Sequence, residues 1–257
     1  MDRQLKLLLI SRLAEHLSDA EHIAVGAASP IPAAAALLAQ YREPRTRVSL
    51  LGAESQSMFT DGGRELFDCA AQGRIDYFFF SGVQIDGQAN INLVGRGEYP
   101  LMQERYAGSF GSAYLYHHVP NVILFCWAHS SRTLVEAVDF ISAAGPLNDG
   151  VWRRGGPVTL LTDRCEFSYK QSVSDGSAEK QDSTAVAGDN FELISIHPGE
   201  SVTSIAAHTG FDYSICDNVV TTSVADELES VEQVLNDSIL PLLASSYPRF
   251  VNRWSAD

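Results

Sequence analysis

Two polar turns, each following an apolar segment, hold the residues of this chain that are best suited to chemistry. They follow segments 48–53 and 77–80, and they comprise Glu54, Ser55 and Gln56 in the first turn and Ser81, Gly82, Val83 and Gln84 in the second. A glutamate carboxylate can attack an acyl carbon to form a mixed anhydride, which divides one difficult transfer into two easier steps. Glu54 is therefore the candidate nucleophile, with Ser55 and Gln56 as candidate substrate contacts. The alternative interpretation is a solvated acidic side chain on a loop.

The second turn is suited to stabilising negative charge. The backbone N–H groups of Gly82 and Val83 could bind the oxygen that becomes negative during attack, because glycine lets a ligand approach the backbone closely. The side-chain amide of Gln84 adds a donor, and we include Ser81 and Gln84 among the candidate substrate contacts. In the alternative, this is a plain strand-to-loop turn whose polar side chains satisfy local backbone groups, namely Asp86, Asn90 and Asn92.

A third segment, 105–113, is rich in small residues. Backbone donors around Gly108 and Ser109 could reach a phosphate or a pantetheine amide there, and a flexible glycine turn is the alternative. Segment 26–29 lacks the G-x-G-x-x-G spacing of a dinucleotide site. The chain also has no G-x-S-x-G elbow, Walker sequence or H-E-x-x-H pair. These absences leave the carboxylate chemistry of Glu54 as the leading hypothesis.

Composition narrows the class of protein. At 257 residues with 45% apolar content, the chain is predicted to form a single α/β domain over residues 1–257. The formal net charge of −14 disfavours nucleic acid as a partner. The cysteines are widely separated, lack metal-ligand spacing and are interpreted as reduced thiols: Cys69, Cys126, Cys165 and Cys216. The N-terminal apolar run is too short for a signal peptide, and no run reaches membrane-spanning length. We therefore predict a cytoplasmic protein with no metal site and no membrane partner.

Alternating apolar segments indicate the architecture that positions the turns. Helices are predicted at 4–17, 33–41, 64–72, 202–209 and 224–236, and strands at 22–26, 48–53, 77–80, 122–127, 138–142 and 158–162, with a hairpin of 165–169 and 191–196. Strands separated by helices predict an open, doubly wound, mostly parallel sheet flanked by helices, followed by a C-terminal hairpin and helix. In such sheets ligands bind outside the carboxyl ends of the strands, where both turns are expected.

The second half of the sequence also contains residues that predict a loop, a helix cap and a tail. The polar stretch from Lys170 to Asn190 is predicted to be a long exposed loop. Ser201 is expected to cap the helix at 202–209, and Gly210 to end it in a left-handed conformation. A tail containing Pro241 and Pro248 is expected after the last helix.

Taken in chain order, these segments resemble the β subunit of class I CoA-transferases, with glutaconate CoA-transferase closest in pattern. The segments that carry the resemblance are 54–55, 81–86, 90–92, 105–109, 138–141 with Gly145, 156–163, 196–199 and 209–212. They span roughly residues 5–240, and ordered agreement over several segments is more specific than any one motif. One departure is Gln56, which stands where the family pattern has glycine after Glu-Ser.

The resemblance implies a class I CoA-transferase-like fold and an α subunit of similar fold, in a heterodimer or a larger α/β oligomer, with the active site where the two meet. It implies that Glu54 forms an acyl-glutamyl anhydride and then a glutamyl-CoA thioester, with the backbone near Gly82 binding the oxyanion. Acyl-CoA and a carboxylic acid would be the substrates. Coenzyme A would be a substrate and not a tightly bound cofactor.

The same resemblance leaves other reactions open, because a fold does not choose its chemistry. Gln56 could position a water, and related members look like CoA-thioester hydrolases that open a carbon ring, or like decarboxylases. In a hydrolase Glu54 would serve as general base. A last alternative is a non-catalytic partner that completes the subunit interface and contributes to CoA binding. CoA transfer between carboxylic acids is the leading prediction.

Overall fold

The computed structural model describes residues 2–53, 56–146, 152–170, 190–223 and 228–256. Its helices are α1 (Arg3–Glu15), α2 (Pro30–Arg42), α3 (Gly62–Ala71), α4 (Ser112–His118), α5 (Val202–His208), α6 (Leu228–Val234), α7 (Leu240–Leu243) and α8 (Pro248–Ala256). Its strands are β1 (His22–Val25), β2 (Arg47–Leu50), β3 (Tyr77–Phe80), β4 (Gln84–Ile85), β5 (Ile91–Asn92), β6 (Gly95–Arg96), β7 (Glu104–Arg105), β8 (Asn121–Cys126), β9 (Gly156–Thr162), β10 (Cys165–Lys170), β11 (Asn190–Ile196) and β12 (Ser214–Thr221).

The chain separates into two compact units that are interleaved in sequence. The first unit comprises Met1–Phe80, His118–Phe125 and Thr222–Asp257, and the second comprises Ser81–His117 and Cys126–Thr221. A single domain over residues 1–257 stays a prediction, and each unit is described by itself below.

The first unit is built on parallel strands in the order β8-β3-β1-β2. Side chains of β1 are buried along its whole length, which is typical of a strand covered on both faces. The chain adds β2 on one side of β1 and β3 on the other. The point where the winding direction changes therefore lies between β1 and β3, where open α/β sheets place their ligands. The predicted doubly wound α/β fold with mostly parallel strands is confirmed.

Helices α1 and α2 supply much of the apolar core of this unit. The buried side chains of α1 include Leu9, Ile10 and Leu13, all with no solvent exposure. On α2 the four alanines 33–36 are equally buried, and their small size lets neighbouring elements pack closely. Pro30 occupies the first turn of α2, a position where a missing N–H costs no helical hydrogen bond.

The second unit contains the predicted hairpin. Strand β10 pairs antiparallel with β9 and β11, and β11 pairs parallel with β12. The rings of Phe167 and Phe191 lie 6.0 Å apart, centroid to centroid, in the core beside this hairpin. The ladder runs to the pair Lys170 and Asn190. The rest of the predicted exposed loop, residues 171–189, lies outside the described residues.

Two predictions in this unit are wrong. Residues 138–142 form no strand, because the first two N–H groups donate to buried side chains instead of to a ladder: Val138 N–H to Asp86 and Asp139 N–H to the Oε1 of Gln84. Gly210 has no left-handed backbone. A side chain on it would lie 2.5 Å from the carbonyl oxygen of Leu134, so close backbone approach explains the glycine.

The C-terminal part is more helical than predicted. Of the helix expected at 224–236, residues 224–227 lie outside the described residues, and the remainder continues through a π-helical segment, Leu235–Ile239, into α7. Pro241 lies in the first turn of α7, and Pro248 begins α8. Proline is tolerated in a first helical turn, so the expected tail with its two prolines is helical.

Candidate functional site

The turn after β2 is closed by backbone hydrogen bonds on both sides of the candidate nucleophile. The Leu50 N–H donates to the carbonyl oxygen of Gln56 at 2.8 Å, and the Leu51 N–H donates to the carbonyl oxygen of Val25 at 2.9 Å. Gly52 has a φ of +80°, which a residue with a side chain rarely adopts. Glu54 and Ser55 themselves lie outside the described residues, so their roles stay predictions. The partly exposed Gln56 contributes its backbone to closing the turn.

The turn after β3 requires glycine because of crowding. A Cβ on Gly82 would lie 2.6 Å from the carbonyl oxygen of Gln84 and 3.3 Å from that of Asn92. The adjacent Val83 N–H donates to Asn92 at 2.8 Å, so acting as an oxyanion donor would require this bond to break. Within the part of the chain that the structure describes, the Gly82 N–H has no acceptor. Of the two predicted donors, Gly82 is therefore the one whose N–H is uncommitted among the described residues.

The polar residues that follow Gly82 hold neighbouring segments together. They are buried, with 0 to 6% exposure: Gln84, Asp86, Asn90 and Asn92. The carboxylate of Asp86 accepts from the N–H groups of Gln88 and Asn90 at 3.1 and 3.0 Å, and from the side-chain amide of Asn90 at 3.0 Å. Asn90 Oδ1 accepts from the Gly145 N–H at 2.9 Å. Asp86 thus satisfies local backbone groups, as the structural interpretation expected, whereas Asn90 also bonds a segment 55 positions away.

The oxygen and the nitrogen of the Gln84 side-chain amide differ in their hydrogen bonding. Its Oε1 accepts from the side-chain amide of Asn92 at 2.7 Å and from the Asp139 N–H at 3.0 Å. Among the described residues, its Nε2 has no acceptor. Any contact between Gln84 and a substrate would therefore be a hydrogen bond donated by Nε2. The neighbouring Ser81 is exposed.

A second cluster in this unit was not predicted from the sequence. Arg96 on β6 donates to the Glu104 carboxylate at 2.9 Å and to the carbonyl oxygen of Val83 at 3.2 Å. The Tyr106 hydroxyl donates to the same carboxylate at 2.6 Å, and Arg132 lies 3.8 Å from it. The hydrogen bonds from Tyr106 and Arg96 lower the pKa of Glu104, and the Glu104 carboxylate raises the pKa of Tyr106. Arg96 thus ties β6 and β7 to the turn after β3.

The sequence held a signal for this cluster. Arg96 stands between Gly95 and Gly97, and Arg96 and Glu104 face each other across the short ladder of β6 and β7. A side chain on Gly95 would overlap the carbonyl oxygen of Glu104. A glycine-flanked arginine followed at hairpin distance by glutamate predicts such a cross-strand pair.

The small-residue segment is an open turn in the structure. Gly108 is exposed with a φ of +103°, and no atom lies within 4 Å of the position that a Cβ would take. The Ser109 carbonyl oxygen accepts from the Ser112 N–H at 2.5 Å, just before α4. The phosphate or pantetheine contacts predicted for Gly108 and Ser109 stay predictions.

The buried His129 serves the structure of the second unit. His129 is 3% exposed, and burial, followed by the charge of Arg164, lowers its pKa from 6.5 to about 4. Thr209 donates its hydroxyl proton to the carbonyl oxygen of Ile205, so its oxygen accepts from His129 Nε2–H at 2.9 Å. Nδ1 lies 3.0 Å from the Thr162 hydroxyl oxygen and 3.5 Å from Cys165 Sγ. A neutral imidazole fixed on both nitrogens is a structural group.

The described residues contain no cluster of three or more histidine, cysteine or acidic side chains that could hold a metal ion. None of the described helices has the length and apolar character needed to cross a membrane. Every cysteine in the chain is a free thiol: Cys69, Cys126, Cys165 and Cys216.

Comparison with known proteins supplies the family context for these two turns. Residues 48–163, which include both, match the family model described as Coenzyme A transferase. Over 164 residues the chain is 27% identical to the B subunit of 3-oxoadipate CoA-transferase from Pseudomonas knackmussii, covering 61% of this chain and 56% of that protein. This chain is similar to class I CoA-transferase β subunits. The resemblance predicted from the sequence is confirmed. The match spans little more than half the length of the Pseudomonas protein.

Solved structures with the same fold include more than one chemistry. Glutaconate CoA-transferase from Acidaminococcus fermentans superposes with a TM-score of 0.73 at 17% identity, covering 93% of this chain and 96% of its own. The decarboxylase AibA/AibB superposes with a TM-score of 0.72 at 22% identity, covering 94% and 99%. At these identities the likeness establishes the CoA-transferase fold and not the reaction.

Proposed function

We propose that this chain is the β subunit of a heteromeric CoA-transferase that moves coenzyme A between carboxylic acids. The observation that carries the proposal is the closed turn after β2, in which the Leu50 N–H donates to the Gln56 carbonyl oxygen across the Glu54 position. This turn falls at the carboxyl edge of the parallel strands, where α/β folds bind ligands. The Coenzyme A transferase match over residues 48–163 includes it.

The proposed reaction passes through two covalent intermediates on Glu54. The Glu54 carboxylate attacks the thioester carbonyl of acyl-CoA, and the carbon–sulfur bond breaks to release CoA thiolate and leave an acyl-glutamyl anhydride. The thiolate then attacks the glutamyl carbonyl, which frees the first carboxylate and forms a glutamyl-CoA thioester. The acceptor carboxylate reverses both steps, giving the new acyl-CoA and regenerating Glu54.

The remaining candidate residues take roles around this chemistry. The Gly82 N–H would bind the oxyanion, and Val83 would join it only by giving up its bond to Asn92. Gln84 would donate from Nε2, with Ser55, Gln56 and Ser81 contacting the acyl group. The open turn at Gly108 and Ser109 would contact the CoA moiety. Coenzyme A is a substrate in this proposal.

The proposal includes a second subunit and a cellular location. Two of the similar proteins carry names that indicate a two-part assembly, the B subunit of 3-oxoadipate CoA-transferase and the AibA/AibB decarboxylase. We assign this chain an α-type partner of similar fold, in a heterodimer or a larger α/β oligomer. Free thiols in the chain favour a reducing compartment, and the cytoplasm is the proposed location.

Trapping the thioester tests the proposal directly. The α/β complex is incubated with an acyl-CoA and then treated with hydroxylamine or borohydride, and the modified peptide is identified by mass spectrometry. Modification at Glu54 is expected, together with a loss of rate of about a thousandfold or more in Glu54→Ala. Glu43→Ala, at an exposed glutamate at the end of α2 and outside every proposed site, is the matched control and should keep full activity. Unmodified Glu54 in an active complex would reject the transferase mechanism.

Decarboxylation is the second candidate, because the decarboxylase AibA/AibB shares the fold over nearly the whole chain. Carbon dioxide release from an acyl-CoA without any acceptor acid would favour it. Incorporation of oxygen from labelled water into a released acid would instead indicate a hydrolase with Glu54 as general base. A loss of only a few-fold in Glu54→Ala would indicate a non-catalytic partner chain.

A further inference from the structure

A hairpin in the second unit presents apolar side chains to solvent. We call residues 95–105 the arm; it consists of β6, β7 and the turn that joins them. At its tip Leu101 is 88% exposed and Tyr99 is 54% exposed. Neighbouring large apolar side chains that are exposed to solvent often mark interaction surfaces. The tip is therefore the strongest candidate for an unassigned contact surface.

The arm is held rigidly in place. The Gly97 N–H donates to the Asp139 carboxylate at 2.7 Å, and the Gln103 N–H donates to the Arg96 carbonyl oxygen at 2.9 Å. The Tyr99 ring lies 5.1 Å from the Phe140 ring, centroid to centroid. A preorganised hairpin loses little conformational entropy when a partner binds it. This bracing distinguishes the arm from a loose surface loop.

The base of the arm is joined to the turn after β3. Arg96 donates to the Val83 carbonyl oxygen at 3.2 Å, next to the Gly82 N–H proposed to bind the oxyanion. A partner that completes a site at this turn would therefore lie beside the arm. This continuity favours a protein partner of the site over any other occupant of the tip.

Charges around the tip also favour a protein. Arg105 packs over the Tyr99 ring, with its guanidinium carbon 6.0 Å from the centroid, and the exposed Glu98 adjoins that tyrosine in sequence. An apolar centre with a mixed polar rim is typical of protein interfaces. Arg96 and Arg132 at the arm's base both lie near Glu104, and Glu98 lies near the tip, so the arm carries charges of both signs and not the cluster of basic residues that an anionic membrane would attract.

We infer that the tip of the arm, Tyr99, Pro100 and Leu101, is a docking surface for the α-type CoA-transferase subunit. This inference rests on the two-subunit assembly in the proposed function. Tyr99 and Leu101 insert into an apolar depression on that subunit, and docking holds the second chain beside the turn that carries Gly82. Aromatic and large aliphatic anchors of this kind carry most of the binding free energy at protein interfaces.

Affinity measurement on the full-length complex tests the inference. The chain is combined with the α-type subunit encoded in the same genome, and the dissociation constant is measured by titration for wild type, Leu101→Glu and Tyr99→Ala. We expect Leu101→Glu to weaken binding at least about tenfold, and Tyr99→Ala about fivefold or more. The matched control is Leu242→Glu on α7, at an exposed leucine of the first unit, and it should change affinity less than about twofold.

Two further measurements keep the result interpretable. Thermal unfolding of Leu101→Glu alone should match wild type, because Leu101 has almost no buried surface to lose. Amide hydrogen exchange across 95–105 should slow on addition of the α-type subunit. Unchanged affinity in Leu101→Glu would overturn the inference. Dissociation of a homo-oligomer of this chain by mutations in the arm would also overturn it. If no thioester is trapped at Glu54 but assembly with the α-type subunit still depends on the arm, only the proposed reaction is rejected.

Discussion

The β4–β5 hairpin and the arm follow each other in sequence and place their side chains in opposite ways. The hairpin buries polar groups, with Asn92 at 0% and Asp86 at 5% exposure, whereas the arm exposes Leu101 at 88%. Buried polar groups must each find a partner, so they fix the segments around them in one arrangement. Exposed apolar groups fix nothing within the chain and are suited to an external partner. The comparison separates what positions the site from what is offered to another molecule.

Removing the central carboxylate of the hairpin should have the largest effect. Asp86→Ala leaves the N–H groups of Gln88 and Asn90 without their acceptor, and we expect the free energy of unfolding to fall by about 4 kcal/mol. Urea denaturation measures this. Asp86→Asn keeps one carbonyl oxygen and should lose about half as much. Equal stability of Asp86→Ala and wild type would contradict the structural role of the hairpin.

Crowding around Gly145, which donates to Asn90 of the β4–β5 hairpin, predicts the second-largest loss of stability. In Gly145→Ala the new methyl group would overlap the Gln88 carbonyl oxygen, and the free energy of unfolding should fall by about 3 kcal/mol. Gly108→Ala is the control, because open space surrounds that position and only the left-handed backbone opposes the change. Its expected cost is about 1 kcal/mol. Denaturation curves that place the two variants in the reverse order would refute this explanation.

Lowering the pH tests how the buried His129 contributes to stability. Because the pKa of His129 is about 4 in the folded chain against an ordinary 6.5, the unfolded chain binds the proton first as the pH falls. This contribution to stability is fully present above pH 6.5 and declines as the pH falls through the interval toward 4. The loss should be about 2 kcal/mol between pH 7 and pH 5. His129→Gln should flatten that part of the stability profile, and a slope unchanged in the variant would assign it to other groups.

The exposed end should show the smallest effect on stability. Leu101→Ser is expected to change the free energy of unfolding of the isolated chain by less than about 0.5 kcal/mol. A larger loss in urea denaturation would mean that the arm tip packs within its own chain, and the contrast with Asp86 would disappear.

Segments with uninterrupted apolar runs were predictable from sequence. Residues 77–80 form β3 as expected, because four consecutive aromatic side chains find a stable place only inside the sheet. Residues 138–142 have a comparable apolar pattern and form no strand, because the acceptors for Val138 and Asp139 are side chains more than 50 positions earlier. Local periodicity has no access to such distant acceptors.

The candidate site was predictable in part for the same reason. A turn at Gly82 was expected from a glycine behind an apolar run, whereas its crowding by the carbonyl oxygens of Gln84 and Asn92 was not. The engagement of Val83 with Asn92 and Arg96 was missed, since it depends on how two hairpins fold back on the turn. The pairing of Arg96 with Glu104 was also missed, although its signal, a glycine-flanked arginine followed at hairpin distance by glutamate, lies in the sequence.

The hydrogen bonds that hold the β4–β5 hairpin also order its assembly in time. Asn90 bonds Gly145 and Gln84 bonds Asp139, each across 55 positions of sequence. Closing loops of that size must precede any gain from the contacts they permit, which slows their formation. During synthesis, the bonds of Gln84 and Asn90 to these segments can therefore form only after residues 139 and 145 have left the ribosome.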